Sequence, residues 1–140
     1  MKGILLVTHG KFADEILKSA ELIVGKQEKV LTLGLQHGDS IEVLGEKVVE
    51  SIESLQSDNG VLVLVDLLGG SPYNVVALNS SKISKGKVRC ITGVNLPMLL
   101  EAITMRECYE LDELTEHCME VGTTGIKELF KEIEALKQAN

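Results

Sequence analysis

The sequence predicts an α/β protein in which a parallel sheet is covered by helices on both faces. Three observations carry this. Short apolar runs alternate with segments of helical period, β-α-β-α-β-α-β-α, before a last third that reads as helix. One run, "VLVLV" at 61–65, is apolar at every position, as expected of a central parallel strand buried on both faces. The 140 residues are 44% apolar but only 3% aromatic, with no Trp, so the core is built from Leu, Ile and Val. A chain of this size buries about two-thirds of its unfolded surface and forms one domain, here 1–140, without disulfides or metals.

The elements follow in order. "GILLVT" at 3–8 is the first strand. Phe12, Ile16, Leu17, Ala20, Ile23 and Val24 then recur at three- and four-residue spacing, an amphipathic helix ended by Gly25. "KVLTLGL" at 29–35 is the second strand. "QHGDS" is a turn, with Asp39 or Ser40 available to cap the helix marked by Ile41, Leu44, Val48, Ile52 and Leu55. "SDNG" at 57–60 turns the chain into the central strand, which stops at Asp66. "LLGGSP" leads into a third helix, with Ser71 as N-cap and Pro72 at the first helical position. "KVRCIT" at 87–92 is the fourth strand. "GVNLPM" is a turn, and Pro97 suits the first turn of a helix running to Met105. Beyond it, Leu111, Leu114, Cys118 and Val121 form one stripe, "VGTTG" breaks it, and Ile126, Leu129, Phe130, Ile133 and Leu136 form another.

Composition excludes several classes of function. The formal net charge is −7, from 21 acidic and 14 basic residues. An acidic chain without a basic stripe is a poor binder of nucleic acid and of anionic membrane surfaces. The three cysteines, Cys90, Cys108 and Cys118, are odd in number and form no CxxC pair, which argues against a disulfide framework and a zinc site. They are expected to be reduced and mostly buried. The apolar run of "GILLVTHG" is too short for a signal peptide, and nothing approaches the ~18 apolar residues of a membrane span. The chain reads as soluble and cytoplasmic.

In open sheets of this type, ligands bind beyond the carboxyl ends of the strands, where the strand order reverses. Those ends carry Thr8-His9-Gly10, the residues 35–38, Asp66 to Ser71, and Gly93 to Met98. If the first and third strands are neighbours, His9 and Asp66 stand side by side. A carboxylate accepting a hydrogen bond from one ring nitrogen fixes the tautomer and leaves the other nitrogen as a nucleophile. Gly69, Gly70 and Ser71 lie at a helix start, where free N–H groups and the helix dipole favour an anion. The combination suits phosphoryl transfer through a phosphohistidine. Taken alone, each signal is weak. A lone His at a strand end is commonly a loop residue, an Asp after a strand is commonly a cap, and GGSP suits a tight turn. There is no GxxxxGK[ST] and no GxGxxG, so nucleotide-binding loops are not supported. His37, in a glycine-flanked turn, reads as exposed, with a place on the same rim as the rival reading. His117, beside Cys118, reads as structural or solvent-facing, and two isolated histidines make no metal site.

The pieces "THG" at 8–10, "GVLVLVDLLGGSPYN" at 60–74 and "GVNLPML" at 93–99 together resemble the IIA domains of the mannose-type branch of the bacterial phosphoenolpyruvate-dependent sugar phosphotransferase system. The resemblance covers essentially the whole chain, the C-terminal helix least. It implies a doubly wound, open, mainly parallel sheet of flavodoxin-like order. It also implies a cytoplasmic phosphocarrier, homodimeric, needing no metal or other cofactor because donor and acceptor are protein side chains. Its histidine takes a phosphoryl group from the histidine-containing phosphocarrier protein and passes it to the IIB component. That component phosphorylates sugar, so the membrane components of the transporter are indirect partners. By motif, His9 is the phosphorylated residue, through Nε2, and Asp66 its hydrogen-bond partner. Thr8, Gly10, Gly69, Gly70 and Ser71 bind the phosphoryl group, and Leu68, Asn95, Pro97 and Met98 form a partner-contact rim. Leu67-Leu68 stand where other members carry a polar residue and a tryptophan, leaving this rim more aliphatic. Related domains serve dihydroxyacetone phosphorylation or sit inside transcriptional regulators. "GGSP" and "GVNLPM" favour the sugar-transporter branch over the first, and the isolated length disfavours the second. Two other rivals are a regulatory receiver that never hands the phosphoryl group on and a small-molecule module of flavodoxin type. The lack of aromatics to stack a flavin argues against the latter.

Overall fold

A computed structural model describes residues 1–83 and 87–139. Among these residues there are four strands: β1 (Gly3–His9), β2 (Val30–Leu35), β3 (Val61–Val65) and β4 (Val88–Ile91). The helices are α1 (Phe12–Val24), α2 (Ile41–Leu55), α3 (Ser71–Leu78), α4 (Leu96–Met105), α5 (Leu111–Thr124) and α6 (Leu129–Ala139), with a short 3-10 turn at Ser80–Ile83. The sheet order is β2-β1-β3-β4 and every pairing is parallel. The chain winds outward from β1 to β2, then crosses back to β3. The order therefore reverses between β1 and β3, and the crevice of a doubly wound sheet opens there.

Strand alternation assigns each side chain to a layer. Ile4 and Leu6 of β1, opposite Leu62 and Leu64 of β3, pack with α1, α4 and α5. Leu5 and Val7, opposite Val63 and Val65, pack with α2 and α3. All five residues of β3 are fully buried, as an all-apolar central strand requires. Each such aliphatic side chain contributes about 1.5–3 kcal/mol of burial, so the β1–β3 pair is the rigid centre on which the strand ends are mounted.

The amino ends of the strands are closed by two buried cations. Arg106, just past α4, is 2% exposed. Its guanidinium donates to the carbonyls of Lys2 (3.1 Å), Glu28 (2.8 Å) and Lys29 (3.3 Å), and to Oε1 of Gln27 (3.2 Å). The Lys2 ammonium donates in return to the Arg106 carbonyl (2.9 Å). Burial pulls the Arg106 guanidinium below its ordinary pKa, but Glu107 and Glu28 oppose that shift.

Several sequence expectations are corrected. β1 runs on through His9, and β4 is shorter than 87–92. The N-cap of α3 is Gly70, and Ser71 is already helical, because the extended backbone needed at the cap falls one residue earlier. α5 continues through Val121 and Gly122 to Thr124. Gly122 is placed by packing, since a Cβ there would lie 2.9 Å from the Met98 Cε. Cys118 is buried, but Cys90 and Cys108 are exposed. α6 forms as expected, yet it buries none of its residues. Leu129, Phe130 and Leu136 are each more than 60% exposed. No helix among the described residues is long and apolar enough to cross a membrane.

Candidate functional site

β1 and β3 are neighbours, so the carboxyl ends that carry His9 and Asp66 meet at the switch point. Oδ2 of Asp66 accepts the backbone N–H of His9 at 2.8 Å and lies 2.8 Å from its Nδ1. Partial burial of Asp66 favours the neutral acid. The hydrogen bonds from the His9 backbone and ring outweigh that effect and hold the carboxyl below its ordinary value. An ionised carboxylate only accepts, so the proton between the two side chains belongs to Nδ1. In the neutral imidazole the lone pair is then on Nε2, at the opposite edge of the ring. The His9 side chain is 48% exposed and that of Asp66 13%. The second oxygen, Oδ1, is buried and has no hydrogen-bond partner among the described residues.

The loop after β3 faces the ring. Gly69 has φ +78°, and Gly70 follows in extended backbone. A Cβ on Gly70 would lie 3.0 Å from the His9 Cε1, the ring carbon between the two nitrogens, so a side chain there would press on the ring. The first main-chain bond into α3 runs from Asn74 N–H to the Gly70 carbonyl. The opening amides of the helix, Ser71 among them, therefore lie ahead of its hydrogen-bond ladder and point toward the crevice end of the fold. Asn74 Nδ2 donates to the Gly69 carbonyl (3.2 Å) and steadies the loop. The β4–α4 loop joins the site by a bond from Val94 N–H to the Val65 carbonyl (3.1 Å).

The expected site residues divide. His9, Asp66, Gly69, Gly70 and Ser71 come together. Gly10, with φ +56°, closes the turn behind His9 through its N–H to the Leu35 carbonyl (2.8 Å). Thr8 is fully buried and its hydroxyl is already engaged, so it does not line the phosphoryl-sized space expected of it. Of the expected rim, Leu68 is 70% exposed beside exposed Leu67. Asn95 caps α4 by accepting Met98 N–H (3.0 Å) and donates to the Gly122 carbonyl (2.8 Å). Pro97 packs on Gly125. Met98 is buried in the core, off the rim, because Gly122 lets α5 close over it. His37 is exposed in the β2–α2 turn with no hydrogen bond to His9. His117 stacks on Tyr109, ring centroids 4.2 Å apart, away from the site.

One residue of the site was missed from the sequence. Gly34 of β2 carries no side chain, and a Cβ there would collide with the Gly10 carbonyl oxygen. The glycine in the interior of a strand is the available signal, since such a glycine marks close backbone approach.

Comparison with known proteins places the chain in a family. Residues 3–119 match the model of the EIIA-man family, described as "PTS system fructose IIA component". The chain is 39% identical over 128 residues to the PTS system mannose-specific EIIAB component of Escherichia coli (strain K12). That match covers 91% of this chain but only 39% of the relative, so this chain spans about two-fifths of its length. It is 29% identical over 140 residues to the PTS system fructose-specific EIIA component of Bacillus subtilis (strain 168), covering 100% of this chain and 94% of that one. Among solved structures, the phosphotransferase system component EIIA from Streptococcus agalactiae superposes with a TM-score of 0.86 at 34% identity, over 94% of this chain and 99% of that one.

Proposed function

The chain belongs to the EIIA-man family of sugar phosphotransferase system components, and from that premise we propose that it is a phosphohistidine carrier. His9 accepts a phosphoryl group from the histidine-containing phosphocarrier protein and passes it to a IIB component for sugar uptake. The observation that carries the reading is the His9–Asp66 pair, half exposed beside a helix N-terminus, in which Asp66 engages Nδ1 and leaves Nε2 of the neutral ring to attack.

The step balances without a metal or nucleotide. The Nε2 lone pair attacks the phosphorus of the donor phosphohistidine. The N–P bond to His9 forms as the donor's N–P bond breaks, and the proton stays on Nδ1. Asp66 stabilises the positive charge that builds on the ring. Gly69 and Gly70 let the phosphoryl oxygens approach the backbone, and Ser71 and the opening amides of α3 meet their charge. Handing the group to IIB reverses the same motion.

In the test, phosphoenolpyruvate and the two general carrier proteins label the protein, and a IIB component discharges the label. His9→Ala takes up none. Labelling that persists in His9→Ala, with the phosphoryl group on His37, overturns the assignment.

Residues 1–140 act in this reading as one cytoplasmic domain, and as a homodimer. Support for the dimer is the apolar stripe of α6, Leu129, Phe130, Ile133 and Leu136, left uncovered within the chain. Single aliphatic residues on a surface are ordinary, but a continuous helix stripe is an interaction face. Sedimentation at micromolar concentration is expected to give the mass of two chains; one chain at high concentration refutes the dimer.

A further inference from the structure

β1 ends in a peptide segment that is pinned before its reactive side chain begins. The Thr8 side chain is fully buried, and its hydroxyl has two partners. It accepts the backbone N–H of Ala13 at 2.8 Å and donates to the His9 carbonyl at 3.2 Å. Ala13 lies in the first turn of α1, whose amides have no partner of their own within the helix. The residue at the N-cap, Lys11, makes no side-chain cap. Thr8 thus performs from the strand the task a capping Ser or Thr ordinarily performs from the helix start. The other side of the turn is seated on β2, where the Gly10 N–H reaches the Leu35 carbonyl and the Gly10 oxygen fills the space that a side chain on Gly34 would take.

We propose that Thr8 is a positioning residue for His9: its hydroxyl ties the His9 carbonyl to the start of α1 and so holds the ring in register with Asp66. The proposal rests on the phosphocarrier reading for its consequence, but not for its geometry. Two bonds from one residue to one carboxylate oxygen, His9 N–H and Nδ1 to Asp66 Oδ2, require the backbone and the ring to be set together. A peptide free to rotate at residue 9 loses the pair as a unit. Thr8 touches neither Asp66 nor the open edge of the ring, so it acts through the backbone alone.

The test replaces Thr8 by valine, of nearly the same shape without the hydroxyl, and by serine, which keeps the hydroxyl. The first readout is the nitrogen NMR signals of the His9 ring in the unphosphorylated protein. The unaltered protein and Thr8→Ser are expected to show a single Nδ1–H tautomer, and Thr8→Val a mixture. The second readout is the rate of labelling. It is expected to fall roughly tenfold or more in Thr8→Val, as displacement of a reacting group does, and to return in Thr8→Ser. An unchanged tautomer in Thr8→Val overturns the assignment. So does a loss in Thr8→Ser as large as in valine, which would trace the effect to the methyl group. Thr8→Ser decides the matter even where the valine variant does not fold, since a shifted ring signal there counts against the hydroxyl. If the unaltered protein takes no phosphoryl group while its ring signals follow the hydroxyl, the carrier reading fails and the positioning role stands.

Discussion

At the amino ends of the strands, Arg106 is sealed from solvent and satisfied by four oxygens. At the carboxyl ends, His9 stands half in solvent and Asp66 keeps one buried oxygen with no partner among the described residues. Both ends gather polar groups from segments far apart in sequence, and both are bounded by the same two central strands. They differ in what is left over. A buried cation held by four acceptors contributes to stability and offers nothing to a ligand. A buried acceptor left unpaired costs about 1–3 kcal/mol and persists where the surrounding fold holds it in place. The sheet thus keeps its stabilising polar cluster and its chemically open one at opposite edges, about five residues of strand apart.

Arg106→Met tests that division most severely. It removes the guanidinium donors to the Lys2, Glu28 and Lys29 carbonyls, of which Lys29 keeps the Ile4 N–H, while retaining much of the side-chain volume. A loss of about 3 kcal/mol or more in denaturant unfolding is expected, because several buried acceptors lose a charged donor at once. The molecules that remain folded are expected to be labelled at the normal rate. Slow labelling of fully folded Arg106→Met protein breaks the comparison, because the amino edge would then be setting the chemistry.

Gly70→Ala presses from the other edge and has a smaller effect. Its backbone, at φ −72°, suits alanine, so the added methyl presses tightly on the His9 ring, 3.0 Å from Cε1, and lies at ordinary contact with Leu67, 3.4 Å from its carbonyl oxygen. Labelling is expected to slow roughly tenfold, and the unfolding midpoint to stay within about 0.5 kcal/mol of the parent, the range for a substitution outside the core. A Gly70→Ala protein that is destabilised but chemically normal would mean that the loop belongs to the fold and not to the site.

Legibility in the sequence followed the range of the interaction. The alternation of elements, the buried central strand and the pairing of His9 with Asp66 were readable because periodicity is local and the parallel-sheet rule supplies the one long-range step. The roles of Thr8, Met98 and Arg106 were not. Thr8 is read by a backbone amide five residues on, which only the angle between β1 and α1 brings near. Met98 looked like a rim residue because it follows the β4–α4 turn, but the absence of a side chain at Gly122, on another helix, decides its burial. Nothing in the sequence marks Arg106, since three of its four acceptors are main-chain carbonyls that any residue type supplies. The uncovered face of α6 was visible as a stripe, although a stripe does not say whether its own chain covers it.

The Lys2–Arg106 contact joins residues 104 apart in the chain. In kinetic terms it is expected to be a late event. Closing so long a loop is entropically costly until the intervening strands and helices have gathered, so the clamp is expected to form after the folding barrier has been crossed. Such a contact resists escape without speeding arrival. The stability lost in Arg106→Met is therefore expected almost wholly as faster unfolding, with the refolding limb of the chevron unmoved. On that expectation, the arginine at one end of the strands governs how long His9 at the other end stays mounted.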